Sequence, residues 1–153
     1  MTGFDTFLHA ILTRAGQVAT DDRSPTIEAQ HLLLAIAAGE EPTTRQVLAG
    51  LDHAALRAAL DREFEHSLST VGVSPAAYDL PRPSRSLGHP RIGASAKLAM
   101  ERGFGTVARK KDLRPAHLLL GILRAQVGTV PRALALAGVD REELVDRARE
   151  VVA

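Results

Sequence analysis

His31-Leu32-Leu33-Leu34-Ala35-Ile36 is met again 86 residues later as His117-Leu118-Leu119-Leu120-Gly121-Ile122-Leu123, so one short apolar phrase is written twice in a chain of 153 residues. Ile27 and Leu113 each stand four residues before the histidine. Leu48-Ala49-Gly50-Leu51-Asp52 returns as Leu136-Ala137-Gly138-Val139-Asp140, two residues further apart than the histidine pair. These matched landmarks predict a duplication with a short insertion. Too many successive positions of the phrase are apolar for one exposed helix face, so each copy predicts a central helix that other helices must cover. Repeated units of this kind bury their apolar faces against one another and build binding surfaces more readily than a single catalytic cleft.

Working outward, Phe4, Leu8, Ile11, Leu12, Ala15, Val18 and Ala19 recur at steps of three and four, which predicts an amphipathic helix over about 4–20. Asp21 to Pro25 breaks it, and the first His-Leu-Leu-Leu helix follows over about 28–38. After Gly39 to Pro42, Thr43 with Gln46 offers a capping box for a short helix ending at Gly50, and Asp52 caps a fourth. In the Gly-apolar-Asp triplet, glycine accepts the left-handed turn that ends one helix and the carboxylate receives the free amides of the next. The triplet stands in both halves. In the second copy Asp140 and Glu143 have capping-box spacing, and Pro115 and Pro131 suit first helical positions, which need no amide hydrogen. The first helix of the second half falls over about 94–103, and Arg109-Lys110-Lys111 is expected in a solvated loop. Ser67 to Pro90 holds four prolines, five serines and two glycines, the composition of a linker. The expected organisation is an all-α chain of about eight helices in one domain over 1–153, with repeat one at 1–68, a linker at 69–91 and repeat two at 92–153.

Composition narrows the function classes. Net charge is +1 from 19 basic and 18 acidic residues, which lacks the basic footprint of a nucleic-acid or membrane-surface binder. Phe4, Phe7, Phe64, Tyr78 and Phe104 are the whole aromatic set, little material for stacking on bases. No apolar run approaches the ~20 residues that span a bilayer, and no basic-then-apolar leader is visible. Zero cysteine removes disulfides and thiolate chemistry and fits a reducing compartment, so a cytoplasmic protein is expected. No phosphate loop, no Gly-x-Ser-x-Gly elbow and no His-Glu-x-x-His pattern occurs, so no cofactor and no metal are expected. His31 and His117 stand at equivalent helix starts. One reading makes them acid-base groups, with a carboxylate such as Glu28 as partner. The other makes each a half-buried imidazole that fixes its helix start by bonding to nearby backbone, and duplication favours it, because repeats preserve packing roles.

The repeated Ile-x-x-x-His-Leu-Leu-Leu core, Ala15 and Ala19 before it, and the Gly-Leu/Val-Asp turn after it together resemble the Clp amino-terminal repeat domain over nearly the whole chain. The resemblance implies two tandem four-helix repeats related by a pseudo-twofold, without catalytic activity, at the front of Clp-type AAA+ unfoldases. Such domains bind substrate proteins, adaptors or hydrophobic cyclic peptides. With no ATPase motor in these 153 residues, the expectation is a free-standing member of the type found in actinobacteria. Relatives that read phosphoarginine place glutamates where this chain has Gln30 and Ala116, and threonines where it has Asp5 and Gly93. An ionised Asp5 would repel a phosphate and Ala116 offers no acceptor, so that activity is disfavoured. The antibiotic sites of relatives map onto Phe4, Phe7 and the Leu87 to Ile92 stretch. The expected partner-binding residues are therefore Phe4, Asp5, Phe7, Gln30, Leu87, Arg91, Ile92 and Ala116, and the expected function is a binding module that modulates Clp-dependent proteolysis. The competing functions are a small helical enzyme using His31 or His117, and a nucleic-acid regulator that the charge balance disfavours.

Overall fold

Thr2 starts the first helix. Its hydroxyl accepts from the Asp5 amide at 3.1 Å, and the Asp5 carboxylate accepts from the Thr2 amide at 3.2 Å, which closes a capping box. The computed structural model describes residues 2–72 and 90–153, and within them the chain forms eight α-helices. These are α1 (Gly3–Asp21), α2 (Ala29–Ala38), α3 (Pro42–Leu48), α4 (His53–Thr70), α5 (Ala94–Phe104), α6 (Pro115–Leu123), α7 (Thr129–Leu136) and α8 (Arg141–Val152). The fold is all-α apart from one minimal sheet, in which β1 (Thr26–Ile27) and β2 (Arg91–Ile92) pair in parallel with Thr26 opposite Arg91. Two-residue strands carry no alternation, so nothing in the sequence marked them.

Four local expectations change. Glu41, rather than Thr43, caps α3: its carboxylate accepts from the Thr44 amide at 2.8 Å, and Pro42 fills the first helical position. Asp140 caps α8, but Glu143 turns away to Arg147 at 3.3 Å instead of closing a box. Pro131 is the third residue of α7, behind Gly128, while Pro115 does begin α6. The bounds expected for a linker at 69–91 overlap described elements, since α4 runs through Thr70 and Arg91 belongs to β2; residues 73–89 lie outside the described residues. Lys110–Asp112 is a single 3-10 turn and is exposed, as its charges demand. Asp52 caps α4 through the Ala55 amide at 2.8 Å, and Gly50 and Gly138 take φ of 89° and 72°, the left-handed turns foreseen for the Gly-apolar-Asp triplets.

α2 and α6 sit at the centre. His31 to Ile36 and Ala116 to Leu123 are buried without interruption. The covering helices arrive reciprocally: α1 lies on α2 as α5 lies on α6, α4 touches α2 as α8 touches α6, and α4 packs on α7 as α8 packs on α3. The α5–α6 crossing is the tightest: a methyl on Gly121 would sit 1.9 Å from the Ala99 carbonyl oxygen, and one on Gly103 would sit 2.2 Å from that of His117.

Candidate functional site

The β1–β2 pair brings the starts of α2 and α5 together. The Gly93 amide donates to the Ile27 carbonyl at 2.8 Å, which sets α5 beside Glu28. Glu28 is the N-cap of α2, but its carboxylate serves α5: Oε1 accepts from the Ser95 amide at 3.2 Å and from its hydroxyl at 2.7 Å. Ser95 returns the service, its Oγ accepting from the Ala29 amide at 2.8 Å, while Thr26 donates to Glu28 Oε2 at 2.5 Å. Each helix thus supplies the cap of the other. A side chain on Gly93 would stand 2.0 Å from the Glu28 carboxylate, so that carboxylate could keep its place on Ser95 only opposite a glycine. Burial pushes the Glu28 carboxyl up, but the bonds from Thr26 and Ser95 outweigh it and hold it below the usual range.

Both histidines adopt one geometry. His31 Nδ1 accepts from the Glu28 amide at 2.9 Å, and His117 Nδ1 accepts from the Arg114 amide at 2.9 Å. With Nδ1 occupied, the proton of the neutral ring resides on Nε2, and no lone pair remains to take a proton from a substrate. Burial lowers both imidazoles below their ordinary value. His31 Nε2 points toward Asp22 at 3.7 Å, and Asp22 is clasped by Arg57 at 3.0 Å. The Glu28 carboxylate, weighed above as a catalytic partner, is committed to Thr26 and Ser95. Among the described residues no group of three His, Asp or Glu side chains is placed to hold a metal.

Beside these helix starts lie two neighbouring cavities, together a groove, whose linings share Gln30 and Thr129. The polar one, about 380 Å³, is lined by Asp22, His31, Arg57, Asp61, Glu63 and Phe64. The apolar one, about 310 Å³, is lined chiefly by Leu98, Ala99, Ile122, Val127, Val130 and Pro131, with Arg102 and Arg132 on its wall. Among the described residues four large apolar side chains are exposed, and three of them face this groove: Phe64 at 59 %, Leu98 at 46 % and Val127 at 83 %. On α4 the usual order is inverted, since Glu63 is 5 % exposed, held by Ser67 at 2.7 Å and Arg132 at 3.0 Å, while its neighbour Phe64 stands in solvent.

The residues singled out from the sequence fall in separate places. Gln30 lies at the junction of the groove. Phe4 is 7 % exposed, edge-on to Phe104 at 5.3 Å and tilted against the half-buried Phe7 at 6.2 Å, so it belongs to the core. Asp5 lies inside the first turn of α1, where the Thr2 amide holds its carboxyl below the ordinary value and Lys110 pairs with it at 3.4 Å. Arg91 is exposed and Ile92 half-buried on β2. Ala116 is fully buried and presents nothing to a partner. Leu87 lies outside the described residues. The sequence reading missed Phe64, Leu98, Val127 and Ser95. Phe64 alone left a signal, an aromatic set among Arg62, Glu63 and Glu65. Compared with known proteins, the chain matches no family model and no curated protein.

Proposed function

We propose that the chain is a non-enzymatic binding module whose groove around Gln30 and Thr129 holds an extended apolar protein segment, and that, in keeping with its resemblance to the Clp amino-terminal repeat domain, it engages clients or adaptors of a Clp unfoldase and modulates their proteolysis. One observation carries this reading: three of the four exposed large apolar side chains of the described residues converge on a single groove, whereas scattered ones would need no explanation. The engaged Nδ1 atoms of His31 and His117 weigh against acid-base catalysis. Phosphoarginine reading is disfavoured further, because the Glu28 carboxylate already fills the start of α5 and Ala116 is sealed in the core.

A permanently unfolded, alkylated protein immobilised on a biosensor tests the proposal. The full chain binds it saturably, and a Leu98→Ser/Val127→Ser double variant with unchanged melting temperature loses that binding. The intact chain, but not the variant, also changes the rate at which a Clp unfoldase–protease degrades the same client. Undiminished binding by the variant, or none by either protein, refutes the groove as the site.

A further inference from the structure

The two cavities differ in what they have to offer a ligand. In the apolar cavity Arg102 is half-buried, and among the described residues no hydrogen bond or ion pair reaches it. Arg132 uses only Nε, on Glu63, which leaves its two terminal nitrogens as spare donors. The one carboxylate in the lining is Glu28, and its oxygens are taken by Thr26 and Ser95. Apolar walls with guanidinium donors to spare, and no side-chain carboxylate to spare, complement an apolar group that carries an anion. α7, whose Gly128 supplies no side-chain cap, begins on the same wall and adds to that polarity.

We infer that the groove seats the carboxyl terminus of a polypeptide ending in apolar residues. Its terminal carboxylate meets Arg102 and Arg132, and its last apolar side chains lie between Leu98 and Val127. The proposal deepens the binding-module reading and rests on it. A chain end suits the site better than a compact amphiphile, because the polar cavity adjoins the apolar one across Gln30 and Thr129 and offers the preceding residues a second seat. There Asp61 is 60 % exposed and bonded to Arg57 through Oδ1 alone, so Oδ2 can accept from a passing backbone amide.

The test is fluorescence anisotropy on the full chain, using one labelled octapeptide ending in valine and leucine, prepared as the free acid and as the carboxamide. The free acid binds about tenfold more tightly than the amide, the effect of one charge-assisted contact. Arg102→Gln narrows that difference severalfold and leaves the amide unchanged, while Leu98→Ala/Val127→Ala weakens acid and amide equally. Equal binding of acid and amide overturns the carboxylate assignment and leaves the binding module standing. Failure of both peptides, together with failure of the unfolded client, removes the module as well. Decanoate that displaces the peptide at equal concentration makes the occupant a lipid carboxylate and overturns the proposal, and so does a concentration-dependent dimer that Leu98→Ala/Val127→Ala dissolves.

Discussion

α2 and α6 carry the same phrase, the same histidine bond and the same central place, yet their surroundings differ at both ends. At the start of α2, Ala29 has an amide hydrogen that needs a partner, and Ser95 provides it; at the start of α6, Pro115 has none to satisfy. One helix start is accordingly wired to its neighbour and the other is self-sufficient. Along the helices the contrast reverses. Ala35 in α2 keeps its methyl, while Gly121 at the matching place in α6 lies against the Ala99 carbonyl. The start of α2 is tied by polar bonds to α5 of the other half, and α6 holds α5, its own covering helix, by close backbone approach. A shared sequence phrase fixes which helix is central without fixing how it is gripped.

Gly121→Ala gives the largest expected break in this comparison. The new Cβ would stand 1.9 Å from a backbone oxygen, and backbone, unlike a side-chain tip, cannot swing aside, so α5 must shift along its whole contact with α6. The expected cost is about 3 kcal/mol or more in denaturant unfolding. The reciprocal Ala35→Gly removes a methyl from the first half and costs about 1 to 2 kcal/mol, from helix propensity and a small void. Similar costs for the two substitutions would show that both crossings have the same clearance.

That asymmetry also explains what could be read from the chain. Helix number, the central pair and the Asp52 and Asp140 caps were legible because each depends on near neighbours in sequence: a 3.6-residue period, a cap three residues from its amide. The β1–β2 pair and the Glu28–Ser95 exchange were not, since their partners are more than sixty residues apart and their residue types are ordinary. The groove was illegible for the same reason. Leu98 on α5, Val127 before α7 and Phe64 on α4 share nothing in sequence that would place them together. Gln30, marked only by resemblance, lies at the groove in the fold, whereas Phe4 and Ala116, marked in the same way, lie in the core.

Acid should sharpen the contrast between the histidines. Burial depresses both imidazoles, so below their ordinary value of 6.5 the unfolded chain takes up protons that the folded chain refuses. Stability is therefore complete above that pH and declines as pH falls from 6.5 toward the folded values. The neighbours differ: the carboxylates of Asp22 and Glu28 ease protonation of His31 against the charge of Arg57, whereas His117 faces no carboxylate, and the backbone bond from Arg114 raises it while the charge of Arg114 lowers it. Asp22→Asn is expected to steepen the acid decline and to leave stability at pH 8 within about 0.5 kcal/mol, since Asp22 is a partly exposed partner. His31→Ala and His117→Ala each strand a backbone amide and cost about 1 to 3 kcal/mol above pH 6.5, and less in acid, where the substitution also removes the penalty of the unprotonated ring. A pH profile from 5 to 8 that is unchanged in Asp22→Asn would mean that His31 senses burial alone.

The smallest effect probes the exchanged caps. Glu28→Ala leaves the Ser95 amide without its acceptor, and Ser95→Ala leaves that of Ala29 without its own, at about 1 kcal/mol each, the typical worth of a cap. Because each side chain also bonds the other at 2.7 Å, the first substitution removes part of what the second would lose. The double variant should consequently cost less than the two single costs together, by about 0.5 kcal/mol or more. Arg114→Ala, at the equivalent N-cap of α6, makes no such exchange and should be near neutral. Additive costs for Glu28 and Ser95 would mean that the two helices are capped independently, and a cost at Arg114 equal to that at Glu28 would mean that the start of α6 is wired after all.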